Sequence, residues 1–342
     1  MTITTIGIDL AKNVFAVHGV DHAGKTVLVK PRVSRAALPE LIASLPPCVI
    51  GMEACSGAHY WARLFRTYGH EPRLMAPKFV SPYRMAGKSG KNDAADAQAI
   101  CEAVLRPQMR FVPVKDEGQQ AMLCLHRTRQ GFMEEKTAIY NRIRGLISEF
   151  GVIGPQSTQA LRHMVHEHKT ALPEQAQLCV GDLLEHIDRL EAKITEYDRL
   201  LTQTARKDPR SQQLMKLKGI GPTTASALVA SIGNGFDFKN GRQMAAWLGL
   251  TPSQYSSGGK SRLGRITKMG DRYLRSLLVQ GARAVMIGAD KRTDDFSRWV
   301  TELINRRGYW RTAIAIAAKN ARLCWASLHY GEDFRLYSTA AD

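Results

Sequence analysis

The stretch TIGIDLAKNVFAVHGVDHAGKTVLVKP, residues 5–31, decides the fold class of this chain. Its apolar and β-branched runs predict three short strands, and Asp21 to Gly24 predict the turn between the second and third. Helix and strand signals then alternate: a helix at 34–45 capped by Ser34, a buried strand at 48–53, a helix at 58–69 ending at Gly69, a strand at 71–76 and a helix at 92–106 capped by Asn92. A hairpin followed by this alternation predicts a mixed α/β sheet.

The chain becomes helical from about Gly118. Apolar residues then recur at intervals of four and three, at Leu183, Ile187, Leu190, Ile194, Tyr197 and Leu201. This seam of nearly three heptads fits either a helical hairpin packed on residues 118–150 or a coiled coil between two chains. Pro209 ends the helix. Three domains are predicted: an α/β domain at 1–115, a helical coiled-coil and dimerisation arm at 116–206, and a C-terminal domain at 207–342. The last is mostly α: helix–turn–helix at 212–233, a helix at 242–250, a polar loop or hairpin at 251–270, and helices at about 271–288, 294–306 and 310–329.

The net charge of +17 favours a polyanionic partner, of which nucleic acid is the commonest. From Lys207 onward 22 basic residues face 10 acidic ones, so this part is the stronger candidate for binding phosphates. An anionic membrane is the competing partner, but no apolar run reaches the spanning length of roughly 18 residues. The first residues do not read as a signal peptide, and the six cysteines form no C-x-x-C pair. We therefore predict a cytoplasmic protein without zinc, disulfides or a membrane partner.

Four acidic residues lie at positions where a negative charge is energetically costly unless it is paired or bound to metal. Asp9 lies within an apolar strand, Glu53 ends the strand at 48–53, and Asp93 and Asp96 project from one face of a helix. Close carboxylates repel one another, and Mg²⁺ removes that penalty while binding phosphodiester oxygens. Each signal is weak alone, but their order resembles the ribonuclease-H-like nucleases, particularly the RuvC resolvase. Actin-like ATPases share the first strand, but their second glycine-rich phosphate loop is not found.

The basic C-terminal region contains two further motifs. Gly219 and Gly221 separate two apolar helices and follow Lys216 and Lys218, which fits either a helix-hairpin-helix clamp on DNA phosphates or a plain turn between helices. The second motif, YSSGGK at 255–260, includes Lys260 and is followed by further cations at Arg262, Arg265, Lys268, Arg272 and Arg275. On composition alone, a flexible polar loop is the favoured interpretation of this second motif.

Five stretches carry a resemblance over the whole chain: GIDLAKN, GMEACSGAHYW, KNDAADA, LKGIGPTTASALVASIG and AAWLGLTPSQYSSGGKSRLGRITKMGDRYLR. In this order they are similar to the DEDD transposases of the insertion sequence 110 family, in its insertion sequence 1111 branch. The resemblance implies a RuvC-like N-terminal domain with Asp9, Glu53, Asp93 and Asp96 as the Mg²⁺-binding tetrad, and a C-terminal domain with a nucleophilic serine at Ser257. It also implies homodimers that assemble into a homotetramer, and a non-coding bridge RNA that pairs with donor and target DNA.

Two alternatives compete with a recombinase. A structure-selective RuvC-like nuclease would hydrolyse DNA with water and the four carboxylates, without a covalent intermediate, and the serine segment would be a linker. A non-catalytic nucleic-acid-binding protein would leave the order of the carboxylates unexplained. The three classes differ in their products, since a recombinase forms a covalent adduct with DNA, a nuclease leaves free nicked DNA, and a binding protein leaves the DNA intact.

Overall fold

The computed structural model describes residues 2–84, 93–168 and 171–331. Contacts between residues divide the chain into an N-terminal unit, Met1–Glu117, and a C-terminal unit, Gly118–Asp342. The N-terminal unit has a mixed α/β sheet and the C-terminal unit is mainly helical, as predicted. The finer division into three domains stays a prediction.

The N-terminal unit has the predicted strands and helices, together with a short helix at 77–80 and a two-residue strand at 111–112 that the sequence does not predict. They are β1 (Thr5–Asp9), β2 (Val14–Val20), β3 (Thr26–Ser34), α1 (Ala37–Ala43), β4 (Val49–Glu53), α2 (Ala58–Thr67), β5 (Glu71–Met75), α3 (Pro77–Val80), α4 (Asp93–Val104) and β6 (Phe111–Val112). The Ser34 hydroxyl accepts a hydrogen bond from the Ala37 N–H at 3.2 Å. The residue that precedes α1 is Ala36, which makes no side-chain cap, so the helix begins later than the predicted cap at Ser34. The predicted cap at Asn92 lies outside the described residues.

The six strands form one sheet in the order β3-β2-β1-β4-β5-β6. The β1–β2 and β2–β3 pairs are antiparallel, whereas β1 pairs with β4, and β4 with β5, in parallel. Parallel neighbours end at the same edge of a sheet, so Asp9 at the end of β1 and Glu53 at the end of β4 lie at one edge. The sheet therefore brings together two acidic residues that are far apart in sequence.

Two glycines allow α4 to pack closely on the sheet. Gly7 of β1 and Gly51 of β4 are direct neighbours in the parallel register. A Cβ atom added at Gly7 would lie 2.2 Å from the Ala97 carbonyl oxygen and 2.4 Å from the Cys101 nitrogen, and one at Gly51 would lie 2.9 Å from the Val104 Cβ. Because glycine has no side chain, the α4 backbone can approach the two strands at these positions. The two glycines therefore allow the helix that carries Asp93 and Asp96 to lie against the sheet.

The C-terminal unit consists of helices and one hairpin in the described residues. Its elements are α5 (Glu117–Ser148, which begins at the boundary), α6 (Thr158–Glu167), α7 (Glu174–Lys207), α8 (Pro209–Met215), α9 (Pro222–Ile232), α10 (Gly241–Trp247), β7 (Pro252–Ser257), β8 (Lys260–Ile266), α11 (Arg272–Met286), α12 (Asp295–Arg307) and α13 (Tyr309–Tyr330). The predicted helices are present, and α6 is a further helix that the sequence does not predict. Residues 251–270 contain an ordered hairpin, one of the two forms that the sequence predicts.

The heptad seam of α7 is buried within its own chain. Ile187 and Leu190 share one apolar cluster with Ile139 and Ile143 of α5. Ion pairs flank this packing, and the Arg129 Nε donates to the Asp198 carboxylate at 2.6 Å. Of the two interpretations, the structure therefore has the intrachain helical hairpin. The coiled coil between chains finds no support in this packing, because the seam already lies against α5.

Candidate active site

Asp9 lies at the centre of the acidic cluster. Burial raises the pKa of its carboxyl group to about 6, and the nearby charges of Asp96, Asp93 and Glu53 add to this effect in that order. Asp93 and Asp96 occupy the first turn of α4, where the helix dipole favours negative charge. The structure thus brings together all four of the acidic residues that the sequence singles out.

Arg84 also belongs to this cluster, although the sequence does not reveal it. Its Nη2 donates to the Glu53 Oε1 at 3.0 Å, and its Nε lies 2.9 Å from the Asp96 Oδ1 in an ion pair. The Nε has no hydrogen-bond partner among the described residues. Its contact with Asp96 is therefore an ion pair without hydrogen-bond geometry. Burial raises the pKa of Glu53 and Asp96 adds to it, while Arg84 opposes them. Arg84 comes just after a 3₁₀ turn at Ser81–Tyr83, and no spacing rule points to it.

The chemistry of the donors fits a divalent cation. Burial desolvates the Asp9 and Glu53 carboxylates in part, and the charges of Asp93 and Asp96 act on Asp9. Such a group would gain from a hard cation with oxygen ligands. Within the described residues, no three acidic, histidine or cysteine side chains stand in an arrangement ready to hold a metal. Arg84 contacts two of the carboxylates in this arrangement. Asp9, Glu53, Asp93 and Asp96 are the residues that would hold a cation, which would supply charge stabilisation at a phosphate oxygen.

The serine motif forms the tip of the β7–β8 hairpin. Ser257 pairs with Lys260, and the two residues between them, Gly258 and Gly259, have φ of 56° and 77°. Two-residue hairpin turns of this kind need positive φ at both positions, which explains the two glycines. Neighbouring strand residues point to opposite faces, so Ser256 and Ser257 differ in direction. The Ser256 hydroxyl accepts a hydrogen bond from the Gln254 amide at 2.8 Å, while Ser257 lies exposed at the tip.

Close backbone contacts anchor the base of this hairpin. A Cβ atom at Gly249 would lie 2.2 Å from the Met269 carbonyl oxygen, and one at Gly270 would lie 1.8 Å from that of Trp247. Arg275 donates to the Leu248 carbonyl oxygen at 2.9 Å. Arg275, one of the predicted phosphate contacts, therefore holds the backbone beneath the hairpin. The other cations of this set are exposed: Lys260, Arg262, Arg265, Lys268 and Arg272.

The glycine turn between α8 and α9 has a packing role. Gly219 has φ of 85°, and a Cβ atom there would lie 2.8 Å from the Gly281 carbonyl oxygen of α11. Gly221 is extended and directly precedes α9. The Lys218 ammonium lies 2.7 Å from the Asp294 carboxylate, whereas Lys216 is exposed. The predicted helix–turn–helix is present, but Gly219 and Lys218 are already engaged within the protein, and the phosphate clamp stays a prediction.

Comparison with known proteins identifies both parts of the chain. Residues 6–151 match the transposase profile of the DEDD type, and residues 211–298 match the profile described as "Transposase IS116/IS110/IS902 family". A "Probable family 20 transposase" of Pseudomonas aeruginosa is 47% identical over 96% of this chain and 97% of its own. The "Transposase for insertion sequence element IS1328" of Yersinia enterocolitica is 39% identical over 97% of this chain and 98% of its own. That for IS1111A of Coxiella burnetii is 36% identical, over 97% and 92%.

Similarity over nearly the whole length shows that the protein is a transposase, an enzyme that cuts and rejoins DNA. The chain belongs to the IS110/IS116/IS902 family of insertion-sequence transposases, which confirms the resemblance drawn from the five sequence stretches. A DEDD-type domain suggests dependence on a divalent metal. No helix among the described residues is long and apolar enough to cross a membrane.

Proposed function

We propose that this transposase is a recombinase that cuts donor and target DNA and rejoins it through a covalent bond between DNA and Ser257. The N-terminal unit is a RuvC-like domain in this proposal, with Mg²⁺ bound by the four carboxylates. One observation carries it: burial first, and then the charges of Asp96, Asp93 and Glu53, raise the pKa of Asp9 to about 6, although these four residues are spread over 88 residues of sequence. Such a cluster is costly without a cation, and structural stability gives no reason for it.

The chemistry at Ser257 conserves phosphodiester bonds. The serine Oγ bonds to phosphorus, one ester bond of the DNA strand breaks, and the departing DNA oxygen takes up a proton and leaves as a hydroxyl group. The proton of the serine passes to a base, and rejoining reverses these steps with a different DNA hydroxyl. Segment 255–262 contains no histidine or acidic residue, so the base comes from outside the hairpin. The exposed Lys260, Arg262 and Arg265 supply positive charge beside the phosphate.

The nucleic-acid partners rest on the family and on charge. Lys268, Arg272 and Lys216 are exposed cations near the serine hairpin or the glycine turn in sequence, and we assign them to DNA phosphates. We assign a helix-hairpin-helix role to the Gly219–Gly221 turn. By family resemblance, a bridge RNA selects the donor and target DNA, and dimers assemble into tetramers. The α7 seam is not offered as the dimer contact, because it is buried against α5.

The test compares two neighbouring serines. Ser257→Ala should lose the covalent protein–DNA adduct on a denaturing gel and lose strand exchange, because no hydroxyl remains at the turn. Ser256→Ala is the matched control and should keep both activities at least in part, since its side chain lies on the other face of the hairpin. Mass spectrometry of the trapped adduct should place the nucleotide on Ser257. Recombination at the normal rate by Ser257→Ala, or nicked DNA without any adduct from the native protein, would support a simple nuclease or another nucleophile instead.

A further inference from the structure

A group of exposed arginine and aromatic side chains lies where α11, α12 and α13 come together. We call it the arginine–aromatic surface and define it as Arg283, Arg306, Arg307, Tyr309, Trp310 and Arg311. Arg306 and Arg307 end α12, and Tyr309 begins α13 after Gly308. It lies outside the four carboxylates, the serine hairpin and the glycine turn. The surface therefore needs an explanation of its own.

The two aromatic rings are held by contacts yet remain open to solvent. Trp310 is 63% exposed and Tyr309 is 40% exposed. The Arg283 guanidinium lies over the Trp310 ring, 5.5 Å from its centroid, and its Nε donates to the Tyr309 hydroxyl at 3.3 Å. The two rings meet edge to face with centroids 5.4 Å apart. An aromatic side chain normally contributes to stability by being buried. A tryptophan ring that is held by neighbouring side chains and still faces solvent is therefore a candidate for binding a ligand.

No acidic side chain of the described residues pairs with the charges of this surface. Among the described residues, Arg283, Arg306 and Arg307 form no ion pair with an acidic side chain, and neither does Arg311. Other arginines behave differently, since Arg298 on the same α12 pairs with Asp295. The helix dipole favours positive charge at the C-terminus of α12, which accounts for Arg306 and Arg307. It does not account for Arg283 and Arg311, which lie on other helices. Arg283 lies against both open rings, and the three other arginines are close to them in sequence, without an ion pair among the described residues. This combination fits an anionic ligand with flat faces.

We propose that the arginine–aromatic surface binds single-stranded DNA, with a base stacked on Trp310 and neighbouring phosphates bound by the arginines. Bases within a duplex cover one another's faces, so an open indole ring selects unpaired bases. Strand exchange by a DNA-cutting enzyme exposes unpaired strands, which is why DNA is chosen over RNA. A second copy of this chain is disfavoured, since a symmetric contact would bring the same four arginines together.

Fluorescence anisotropy with a labelled 20-nucleotide oligo(dT) and the full chain tests this proposal. Trp310→Ala should weaken binding about tenfold, in line with a stacking contribution of about 1–3 kcal/mol per base, whereas Trp310→Phe should keep most of the affinity. Phe236→Ala is the matched control, because Phe236 is 69% exposed but lies outside the surface. A duplex of the same length should respond much less to Trp310→Ala.

The arginines are tested through the salt dependence of the same binding. Arg307→Gln should lower the slope of log affinity against log salt by about 0.7, the value for one phosphate contact on a single strand. Arg298→Gln is the control on the same helix and should leave the slope unchanged, because Arg298 is already paired with Asp295.

Three results would overturn the proposal. Unchanged oligo(dT) affinity of Trp310→Ala would show that no base stacks there, and a loss seen with oligo(U) but not oligo(dT) would assign the surface to RNA. A Trp310→Ala protein that keeps its DNA affinity but has a lower mass in light scattering would make it a contact between protomers. The measurement involves no cleavage, so its failure leaves the covalent mechanism at Ser257 untouched, and a missing adduct at Ser257 leaves this surface untouched.

Discussion

Arg84 places one guanidinium against two carboxylates, Glu53 and Asp96, that a bound cation would also need. An arginine in this position offsets part of the repulsion that burial makes expensive. The same contact competes with metal, because one carboxylate oxygen cannot fully satisfy both partners. If the cluster binds a cation, we expect Arg84 to stabilise the cluster without metal and to lower its affinity for the cation.

Removing this guanidinium should expose the competition. We expect Arg84→Ala to bind Mg²⁺ or Mn²⁺ roughly tenfold more tightly in calorimetry at pH 8, where protons no longer compete for Asp9. Arg106→Ala is the matched control, since Arg106 pairs with Glu102 of α4, which lies outside the cluster. Unchanged or weaker binding by Arg84→Ala would show that the arginine does not oppose the metal.

Asp9 connects the site to the pH dependence of stability. Its pKa is raised to about 6 from an ordinary value of 3.8, so its contribution to stability is present below about pH 4 and is lost as pH rises through 6. Asp9→Asn removes the charge, and we expect it to raise the free energy of unfolding at pH 8 by about 1–2 kcal/mol, with little change at pH 4. Urea titration in a chelator measures this. A destabilised Asp9→Asn at pH 8 would mean that the carboxylate is not under strain from its neighbours.

At the scale of elements, the contact between α4 and the sheet sets the geometry of the carboxylates. β1 and β4 bring Asp9 and Glu53 to one edge, and the helix adds Asp93 and Asp96. The sequence predicts these elements and the acidic residues on them, because periodicity and caps are local signals. It does not predict that Gly7 and Gly51 lie side by side beneath α4, since this follows from strand register.

A methyl group at Gly7 should therefore disturb both stability and the site. We expect Gly7→Ala to lower the free energy of unfolding by about 3 kcal/mol, because the Cβ would lie 2.2 Å from a backbone oxygen of α4 that cannot move alone. Gly131→Ala is a control with the opposite sign, since Gly131 lies within α5 with open space around it and alanine favours helix by about 0.5–1 kcal/mol. Equal denaturation midpoints for Gly7→Ala and the native protein would contradict the close packing of α4.

Over the whole molecule, basic charge is concentrated in the C-terminal part while the acidic cluster lies in the N-terminal unit. The serine hairpin and the arginine–aromatic surface both belong to the C-terminal unit, and each presents exposed cations. Other cations of the same part make contacts within the protein. Lys218 forms an ion pair with Asp294, and Arg275 donates to the Leu248 carbonyl oxygen. Net charge thus indicates a polyanionic partner, but it does not tell which side chains are free to bind it.

The sequence by itself determined the order of the four carboxylates, the α/β and helical regions and the family, because these depend on local periodicity, turn residues and motif order. It left the serine motif as a loop or a hairpin, and the structure has the hairpin. The tertiary structure decided which partner each side chain has. It buried the α7 seam against α5, although the same heptad spacing would suit a second chain equally well. It also set Arg84 between Glu53 and Asp96, and Gly7 beside Gly51. Such pairings join residues distant along the chain, and their energy comes from packing and charge that no local pattern contains.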